Sequence, residues 1–227
     1  MNELSNIDVL ILCGGRGSRL RGVLPEGTPK CMADIDGEPF LGILVRYLVR
    51  QTNGRFVFVT GHNPGPIMGF ALNVSASGRW VRWLADGRTA LGTGGDVVQT
   101  LEENLWRESD PFWVINGDTY AELDYADILR NHMETGFDVT VPYDSQYRHV
   151  GTYLLSKRAI RAAAEELGPK FDLDAAFKIF PKKKVLVNWY STSVKYWDIG
   201  TPESLENFRR FWKEKKGDEI ADRAHAS

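Results

Sequence analysis

The stretch Val9-Leu10-Ile11-Leu12-Cys13-Gly14-Gly15-Arg16-Gly17-Ser18-Arg19-Leu20 decides the fold, because an apolar run ends abruptly in glycines, a hydroxyl and two arginines. A short, continuously apolar run is typical of a strand that is covered on both faces. The glycines permit positive φ and let main-chain N–H groups approach a ligand, while Arg19 and the nearby Lys30 add positive charge. The stretch therefore predicts a strand followed by a nucleotide or polyphosphate site at the edge of an α/β sheet.

The composition narrows the possible class of protein. The chain has 227 residues, of which 43% are hydrophobic and 26% charged, with a net charge of −2. Neither a basic global charge, a polybasic tail nor a membrane-length apolar run is present, so we expect no nucleic acid and no membrane as partners. Cys13 and Cys31 have no metal-ligand spacing and the polar N-terminus has no secretory leader, which predicts a cytoplasmic location.

Strand-like and helical segments alternate along the chain. The predicted strands beyond the opening run are Arg55–Thr60, Arg79–Leu84, the apolar part of Pro111–Asp118, Phe137–Val141, His149–Leu155, Val185–Trp189 and Ser193–Trp197. The predicted helices are Phe40–Gln51, Ile67–Leu72, Asp96–Leu105, Tyr125–Glu134, Lys157–Leu167, Asp174–Phe180 and Pro202–Lys215. This alternation predicts an α/β fold with a mostly parallel central sheet in one domain, residues 1–227, followed by a fraying polar tail.

Two strand exits carry residues suited to phosphates and metal, and ligands of open α/β sheets gather at such exits. Gly14 to Arg19 would wrap phosphates; the alternative is a tight turn with surface arginines. Asp118, after Asn116-Gly117, could hold a hard cation such as Mg²⁺; the alternative is a helix cap or an Asx turn. Asp198 poses the same choice near the C-terminus, and the two carboxylates matter if they converge.

A third glycine-rich segment, Leu91-Gly92-Thr93-Gly94-Gly95, would let a flat ligand lie against the backbone. The alternative is a helix-initiating turn capped by Thr93. Other nucleotide motifs fit less well: the third glycine of a dinucleotide fingerprint falls on Leu20, and no Gly-Lys-Ser/Thr closes the first loop. The scattered His62, His132, His149 and His225 favour structural roles, and no Gly-x-Ser-x-Gly elbow occurs.

The blocks Gly14-Gly15-Arg16-Gly17-Ser18-Arg19-Leu20, Pro29-Lys30, Leu91 to Gly95, Asn116-Gly117-Asp118 and Trp197-Asp198-Ile199-Gly200-Thr201-Pro202 together resemble the sugar-1-phosphate nucleotidylyltransferase family. Within it, the compact length and the Leu91 to Gly95 block are most similar to D-glycero-α-D-manno-heptose 1-phosphate guanylyltransferases. The resemblance implies a Rossmann-like three-layer α/β/α fold. It also implies transfer of a nucleoside monophosphate, GMP from GTP, to a sugar 1-phosphate for surface polysaccharide biosynthesis.

The resemblance implies a role for each matching residue. The implied nucleotide-binding residues are Leu12, Gly14, Gly15, Gly17, Ser18, Arg19, Lys30, Gly92, Thr93 and Asp118, of which Arg19, Lys30 and Asp118 are also catalytic. Mg²⁺ would be bound by Asp118 and Asp198. The implied sugar-binding residues are Gly117, Gly151, Thr152 and Asp172.

The chain departs from the family pattern in a shortened segment, Pro142 to Val150. The family's lysine contact to the sugar phosphate has no match there; Arg148 or Lys170 could replace it, or both could be surface charges. Mannose or glucose 1-phosphate with another NTP is an alternative substrate pair, and a non-catalytic sugar-nucleotide sensor is an alternative function. Asp172-Leu173-Asp174 keeps a glycosyltransferase open, and the strand from Trp80 to Leu84 could serve a homodimer.

Overall fold

The opening apolar run forms the buried interior strand β1 (Val9–Leu12) in the computed structural model. The structure describes residues 7–15, 17–61, 63–85, 90–103 and 109–225, with side chains through residue 217. Val9 and Ile11 pack into one hydrophobic cluster, while Leu10 and Leu12 pack into another on the opposite face of the sheet. Because successive side chains of a strand point to opposite faces, a strand covered twice needs the continuous apolar run that this sequence has.

β1 lies inside a seven-stranded sheet with the strand order β10-β8-β9-β6-β1-β4-β5. The remaining strands are β2 (Asp34–Ile35), β3 (Glu38–Pro39), β4 (Phe56–Thr60), β5 (Val81–Ala85), β6 (Phe112–Asn116), β7 (Thr119–Ala121), β8 (Val139–Tyr143), β9 (Thr152–Leu155), β10 (Val187–Ser191) and β11 (Tyr196–Asp198). Among the strands that the structure describes, β9 alone runs antiparallel to its neighbours in this sheet, so the prediction of a mostly parallel sheet is confirmed. β2 with β3, and β7 with β11, form two small antiparallel pairs beside it.

Helices cover both faces of the sheet, which confirms the three-layer α/β/α fold. They are α1 (Phe40–Gln51), α2 (Gly65–Ala76), α3 (Gly92–Glu102), α4 (Tyr125–Thr135), α5 (Lys157–Leu167), α6 (Leu173–Ile179) and α7 (Pro202–His225). α1, α2, α4 and α7 bury their apolar residues in one cluster, and α3, α5 and α6 bury theirs in the other. Within the described part of the chain, none of these helices is long and apolar enough to cross a membrane.

Several helix boundaries differ from the sequence prediction; α2, for example, extends beyond both ends of the predicted Ile67–Leu72. α3 begins at Gly92 rather than Asp96, because the N–H groups of Gly94 and Gly95 both donate to the carbonyl of Phe171 and fix the first turn as helix. The predicted end of that helix, Leu105, lies outside the described residues. α7 continues to His225, so the expected fraying after Lys215 is wrong for the backbone that the structure describes.

The strand order places a crevice beside β1. The chain runs from β1 to β4 and β5 on one side, then crosses to β6 on the other side of β1. Leu12 at the end of β1 is in register with Asn116 at the end of β6, so the segments that follow both strands leave the sheet at the same edge. Such a reversal of strand order is where ligands of open α/β sheets bind.

His132 of α4 gives the fold a measurable pH dependence. Its ring is buried, and its Nδ1 lies 2.8 Å from the hydroxyl oxygen of Thr140 on β8. Burial lowers the pKa of His132 and outweighs the charges of Asp138 and Asp110, which raise it. Unfolding therefore binds a proton below the ordinary histidine pKa of about 6.5, and the free energy of unfolding falls as the pH drops below that value. We expect the urea midpoint of His132→Asn to change less between pH 7.5 and 5.5 than that of the wild type; equal changes would contradict this account.

Candidate active site

An ion pair between Lys30 and Asp118 marks the centre of the site. Lys30 begins a short 3₁₀ turn, Lys30–Met32, directly after Pro29, whereas Asp118 lies in the tight turn between β6 and β7. The two side chains are 12% and 24% exposed, and Asp118 Oδ1 also accepts a hydrogen bond of 3.2 Å from the Thr119 hydroxyl. The structure thus brings together a predicted phosphate-binding cation and a predicted metal carboxylate.

Asp198 reaches the same place through strand pairing. β11 pairs antiparallel with β7, which sets Asp198 opposite Thr119, and the N–H of Ile199 donates to the carbonyl of Asp118 at 3.0 Å. Asp198 Oδ1 accepts a 2.6 Å hydrogen bond from the N–H of Gly200, so the Asx turn considered from the sequence does form. That turn uses one carboxylate oxygen and leaves Oδ2 as a further ligand atom.

Arg19 lies beside Asp198. A Cβ added to Gly200 would lie 3.2 Å from Arg19 Nη2 and would overlap Asp198 Oδ1, so the guanidinium and the carboxylate converge on this glycine. Arg19 follows Ser18 in a 3₁₀ turn that begins after Gly17, whose φ of 57° is left-handed. The segment after β1 therefore brings a cation close to Gly200 and the carboxylate that ends β11.

A cleft of about 790 Å³ opens along the glycine loop. Its lining runs from Gly15 and Gly17 through the breaker-rich residues up to Pro29, directly before Lys30. The backbone behind it is tight, since a Cβ added to Gly61 after β4 would lie 2.5 Å from the carbonyl oxygen of Gly14. Of the residues predicted to bind the triphosphate, Gly15 and Gly17 line this cleft, whereas Ser18, Arg19 and Lys30 do not, so their contact with a triphosphate stays a prediction. Arg16 and His62 lie outside the described residues.

Gly117 and the two cysteines form the floor beneath Asp118. The N–H of Gly117 donates to the carbonyl of Leu12 at 2.9 Å, and an added Cβ would lie 2.9 Å from both that oxygen and Cys13 Sγ. Cys13 and Cys31 are free and buried. A hydrogen bond from the Cys13 thiol to Cys31, burial and the charge of Asp118 raise the pKa of Cys13 well above its ordinary value, so the thiol stays protonated and packs as the small buried residue that the sequence predicts.

The Leu91 to Gly95 block is joined to α6 by reciprocal capping. Asp172 Oδ1 accepts from the N–H of Thr93 at 3.1 Å, and the Thr93 hydroxyl accepts from the N–H of Leu173 at 2.9 Å. Thr93 therefore caps α6 rather than its own helix. A Cβ on Gly94 would overlap the ring of Phe171, so this glycine is needed for packing. Contact of Gly92 and Thr93 with a nucleotide, and of Asp172 with a sugar, stays a prediction.

The predicted sugar-binding glycine lies next to the carboxylates. Gly151 has a φ of 68°, its carbonyl accepts from the N–H of Asn116 at 2.8 Å, and an added Cβ would lie 3.0 Å from the Thr119 hydroxyl oxygen. The side chain of Thr152 is buried and hydrogen-bonded to Tyr125, which leaves its backbone as the group that could reach a sugar.

Tyr153 and His149 are near the site although the sequence did not single them out for it. The Tyr153 hydroxyl lies 3.0 Å from His149 Nδ1, and burial together with the charges of Asp174 and Asp118 raises the pKa of Tyr153. The alternation of side chains along a strand could have indicated Tyr153 from the sequence, because it places Tyr153 on the face of β9 opposite to Thr152. Asp174 lies 3.9 Å from His149 Nε2 whereas Asp172 caps α3, so the two carboxylates of Asp172-Leu173-Asp174 have different partners.

The carboxylate pair fits a magnesium ion. Mg²⁺ prefers oxygen ligands and is commonly held by one or two carboxylates together with substrate phosphates. Asp118 and Asp198 supply such a pair, since β11 pairs with β7 directly after Asp118. In the described ranges there is no cluster of three or more His, Cys, Asp or Glu side chains that could hold a metal by themselves, so phosphate oxygens would complete the coordination.

Comparison with known proteins agrees with this geometry. The model of the MobA-like NTP transferase domain matches residues 9–178. The chain belongs to the MobA-like NTP transferase family. This membership confirms the nucleotidyltransferase resemblance drawn from the motif blocks.

Two relatives of this NTP transferase carry the name D-glycero-alpha-D-manno-heptose 1-phosphate guanylyltransferase. The protein from Aneurinibacillus thermoaerophilus is 30% identical over 70% of this chain and 68% of its own length, and that from Campylobacter jejuni is 25% identical over 80% and 73%. The crystal structure of HddC from Yersinia pseudotuberculosis complexed with GMP-PN is 27% identical, with a TM-score of 0.73 over 91% of this chain and 99% of that one. A putative glucose-1-phosphate thymidylyltransferase from Bacillus anthracis, 17% identical with a TM-score of 0.74 over 90% and 94%, shares the fold.

Gly117→Ala tests whether the turn that carries Asp118 needs a glycine. Because the added methyl meets the Leu12 carbonyl and Cys13 Sγ, we expect a loss of about 1–3 kcal/mol in the free energy of unfolding, together with reduced activity. Gly69→Ala in α2 is the matched control: no atom lies within 4 Å of its Cβ, and the change should stabilise the protein by about 0.5–1 kcal/mol. Urea denaturation measures both, and equal stability of the two variants would contradict the assignment.

Proposed function

We propose that this NTP transferase transfers GMP from GTP to D-glycero-α-D-manno-heptose 1-phosphate in one catalytic domain, residues 1–227, releasing pyrophosphate and the nucleotide-activated sugar. The observation that carries the proposal is the ion pair of Lys30 with Asp118, next to which strand pairing brings Asp198, directly after the glycine-loop cleft ends at Pro29. The names of the two curated relatives support the base and the sugar, and the complex of HddC with GMP-PN supports a guanine nucleotide. The same proposal places the reaction in the cytoplasm and its product in surface polysaccharide synthesis.

The reaction needs charge neutralisation more than a strong base. An oxygen of the sugar phosphate attacks the α-phosphorus of the NTP, and the bond from that phosphorus to the bridging oxygen of the β-phosphate breaks, with pyrophosphate leaving. The attacking oxygen is already anionic. The site accordingly offers cations, carboxylates and backbone N–H groups, which act by positioning the substrates and stabilising charge.

Each residue has a defined task in this scheme. The glycine loop, Ser18 and Arg19 bind the triphosphate, and Lys30 neutralises charge that develops on the phosphates. Asp118 and Asp198 would hold Mg²⁺, which when bound supplies further positive charge at the phosphates. The Lys30–Asp118 ion pair keeps the lysine at the cleft before the substrates arrive.

Pyrophosphate release tests the function. The four NTPs are each combined with heptose, mannose and glucose 1-phosphates, and the proposal predicts the highest kcat/KM for GTP with the heptose. A higher kcat/KM with another NTP, or with mannose or glucose 1-phosphate, would identify that pair as the substrates in place of GTP and the heptose 1-phosphate. Binding of a nucleotide sugar with no pyrophosphate from any pair would contradict an enzyme and favour a sensor.

The preferred pair then tests the residues. We expect Lys30→Ala and Asp118→Ala each to lower kcat/KM by about 100-fold or more, because each removes a group that stabilises transition-state charge. Lys182→Ala, in an exposed turn, is the matched control and should retain wild-type activity. Circular dichroism establishes that the variants fold; a folded variant with a near-normal rate would remove that residue from the mechanism.

A further inference from the structure

A second cavity, of about 270 Å³, lies beside β11, whose last residue is Asp198. It is enclosed by two segments: residues 144–148, after β8, and residues 192–197, which lead into β11 and Asp198. Its lining shares no residue with the lining of the glycine-loop cleft, which ends directly before Lys30. Nucleotidyl transfer needs sites for two phosphate-bearing substrates, and Asp198 directly follows Trp197, which lines this second cavity.

Tyr196 and Asp198 lie on the same face of β11, because side chains alternate along a strand. Two residues along a strand span about 7 Å, which is comparable to the size of one sugar phosphate. The guanidinium of Arg148 lies over the Tyr196 ring, 5.5 Å from its centroid, and so lies on the side of β11 to which Asp198 points.

The orientation of Arg148 is fixed by Asp144. Its Nε and Nη2 donate to Asp144 Oδ2 at 3.0 and 2.7 Å, while Asp144 Oδ1 accepts from the N–H groups of Gln146 and Arg148 at 2.9 and 3.0 Å. Both oxygens of this carboxylate are therefore engaged by two donors each. The Nη1 group of Arg148 has no hydrogen-bond acceptor among the described residues, so it is available to donate to a ligand.

Lys195 adds a second positive charge to the same cavity. It has no ion-pair partner within the part of the chain that the structure describes. Because both oxygens of Asp144 already accept hydrogen bonds, the charged groups of this cavity that remain available to a ligand are Arg148 and Lys195, and both are cationic donors. A cavity of this chemistry selects an anion, and a pre-oriented guanidinium edge suits a phosphate in particular.

We propose that Arg148, with Lys195, binds the phosphate of the acceptor sugar while the glycine-loop cleft binds the NTP. The inference rests on the proposed function, and it assigns to Arg148 rather than Lys170 the acceptor contact that the sequence left open. Asp144 is a positioning residue, since it acts through Arg148. Lys170 is exposed, next to Phe171 and outside the cavity lining.

Steady-state kinetics test the assignment. We expect Arg148→Gln to raise the KM for the sugar 1-phosphate by roughly 10- to 100-fold, as for loss of a hydrogen bond to a charged group, while the KM for the NTP is unchanged. Lys195→Ala should act in the same direction, and Arg148→Lys should recover part of the affinity because it restores the charge without the paired fork. Lys170→Ala is the matched control and should match the wild type.

A direct binding measurement separates this inference from the proposed function. Phosphorus NMR follows the line width of each sugar 1-phosphate with wild-type protein, Arg148→Gln and Lys170→Ala in the absence of NTP. Broadening that is lost only in Arg148→Gln supports the inference even if no pyrophosphate is released, in which case the proposed function alone fails. Unchanged acceptor KM and broadening in Arg148→Gln, or a raised NTP KM instead, would overturn the inference while leaving nucleotidyl transfer intact.

Discussion

The short antiparallel pairing of β7 with β11 is the constraint on which the site depends. In this pairing Thr119 lies opposite Asp198, and the N–H of Ile199 donates a hydrogen bond to the carbonyl of Asp118. A carboxylate from near the C-terminus thereby lies next to the segment that follows β6. Aromatic packing holds it there: Trp197 stacks on Phe211 of α7 at 3.7 Å between ring centroids, and Tyr120 contacts Trp197 on the same side. The long terminal helix thus positions the carboxylate of Asp198, which we propose as a metal ligand.

Several motif glycines are required by close packing as much as by ligand binding. Gly117 lies against the Leu12 carbonyl, Gly61 against Gly14, and Gly94 against the Phe171 ring. A side chain at any of these positions would displace backbone or a buried ring, and the strand exits could not come together at one edge. The glycine-rich appearance of the sequence therefore reports how tightly these loops pack as well as what they bind.

The sequence predicts the sheet and its exits because both depend on local patterns. Apolar runs ending in Gly14 and Asn116 mark the two exits on either side of the crevice. The convergence of Asp118 and Asp198 depends on a three-residue strand pair between distant segments, which no local pattern encodes. The start of α3 at Gly92 was missed for the same reason, since its first turn is fixed by Phe171.

The proposed acceptor cavity around Arg148 shows most clearly which features of the site the sequence alone does not predict. Arg148 stood in a segment without a family match, and its orientation depends on Asp144 four residues earlier and on Tyr196 from another strand. Spacing alone suggests the Asp144–Arg148 pair, but not the aromatic ring that places it beside the carboxylates. Charge counting likewise cannot distinguish a saturated carboxylate from an available one, and that distinction gives the second cavity its preference for anions.

The most direct test of the central claim is anomalous diffraction from crystals soaked with Mn²⁺ and a non-hydrolysable GTP analogue. The account predicts one strong manganese peak within coordination distance, about 2 Å, of carboxylate oxygens from both Asp118 and Asp198, and its loss in Asp198→Asn. A peak that contacts neither carboxylate, or that is unaffected by Asp198→Asn, would contradict the claim that β11 brings the second metal ligand to this site.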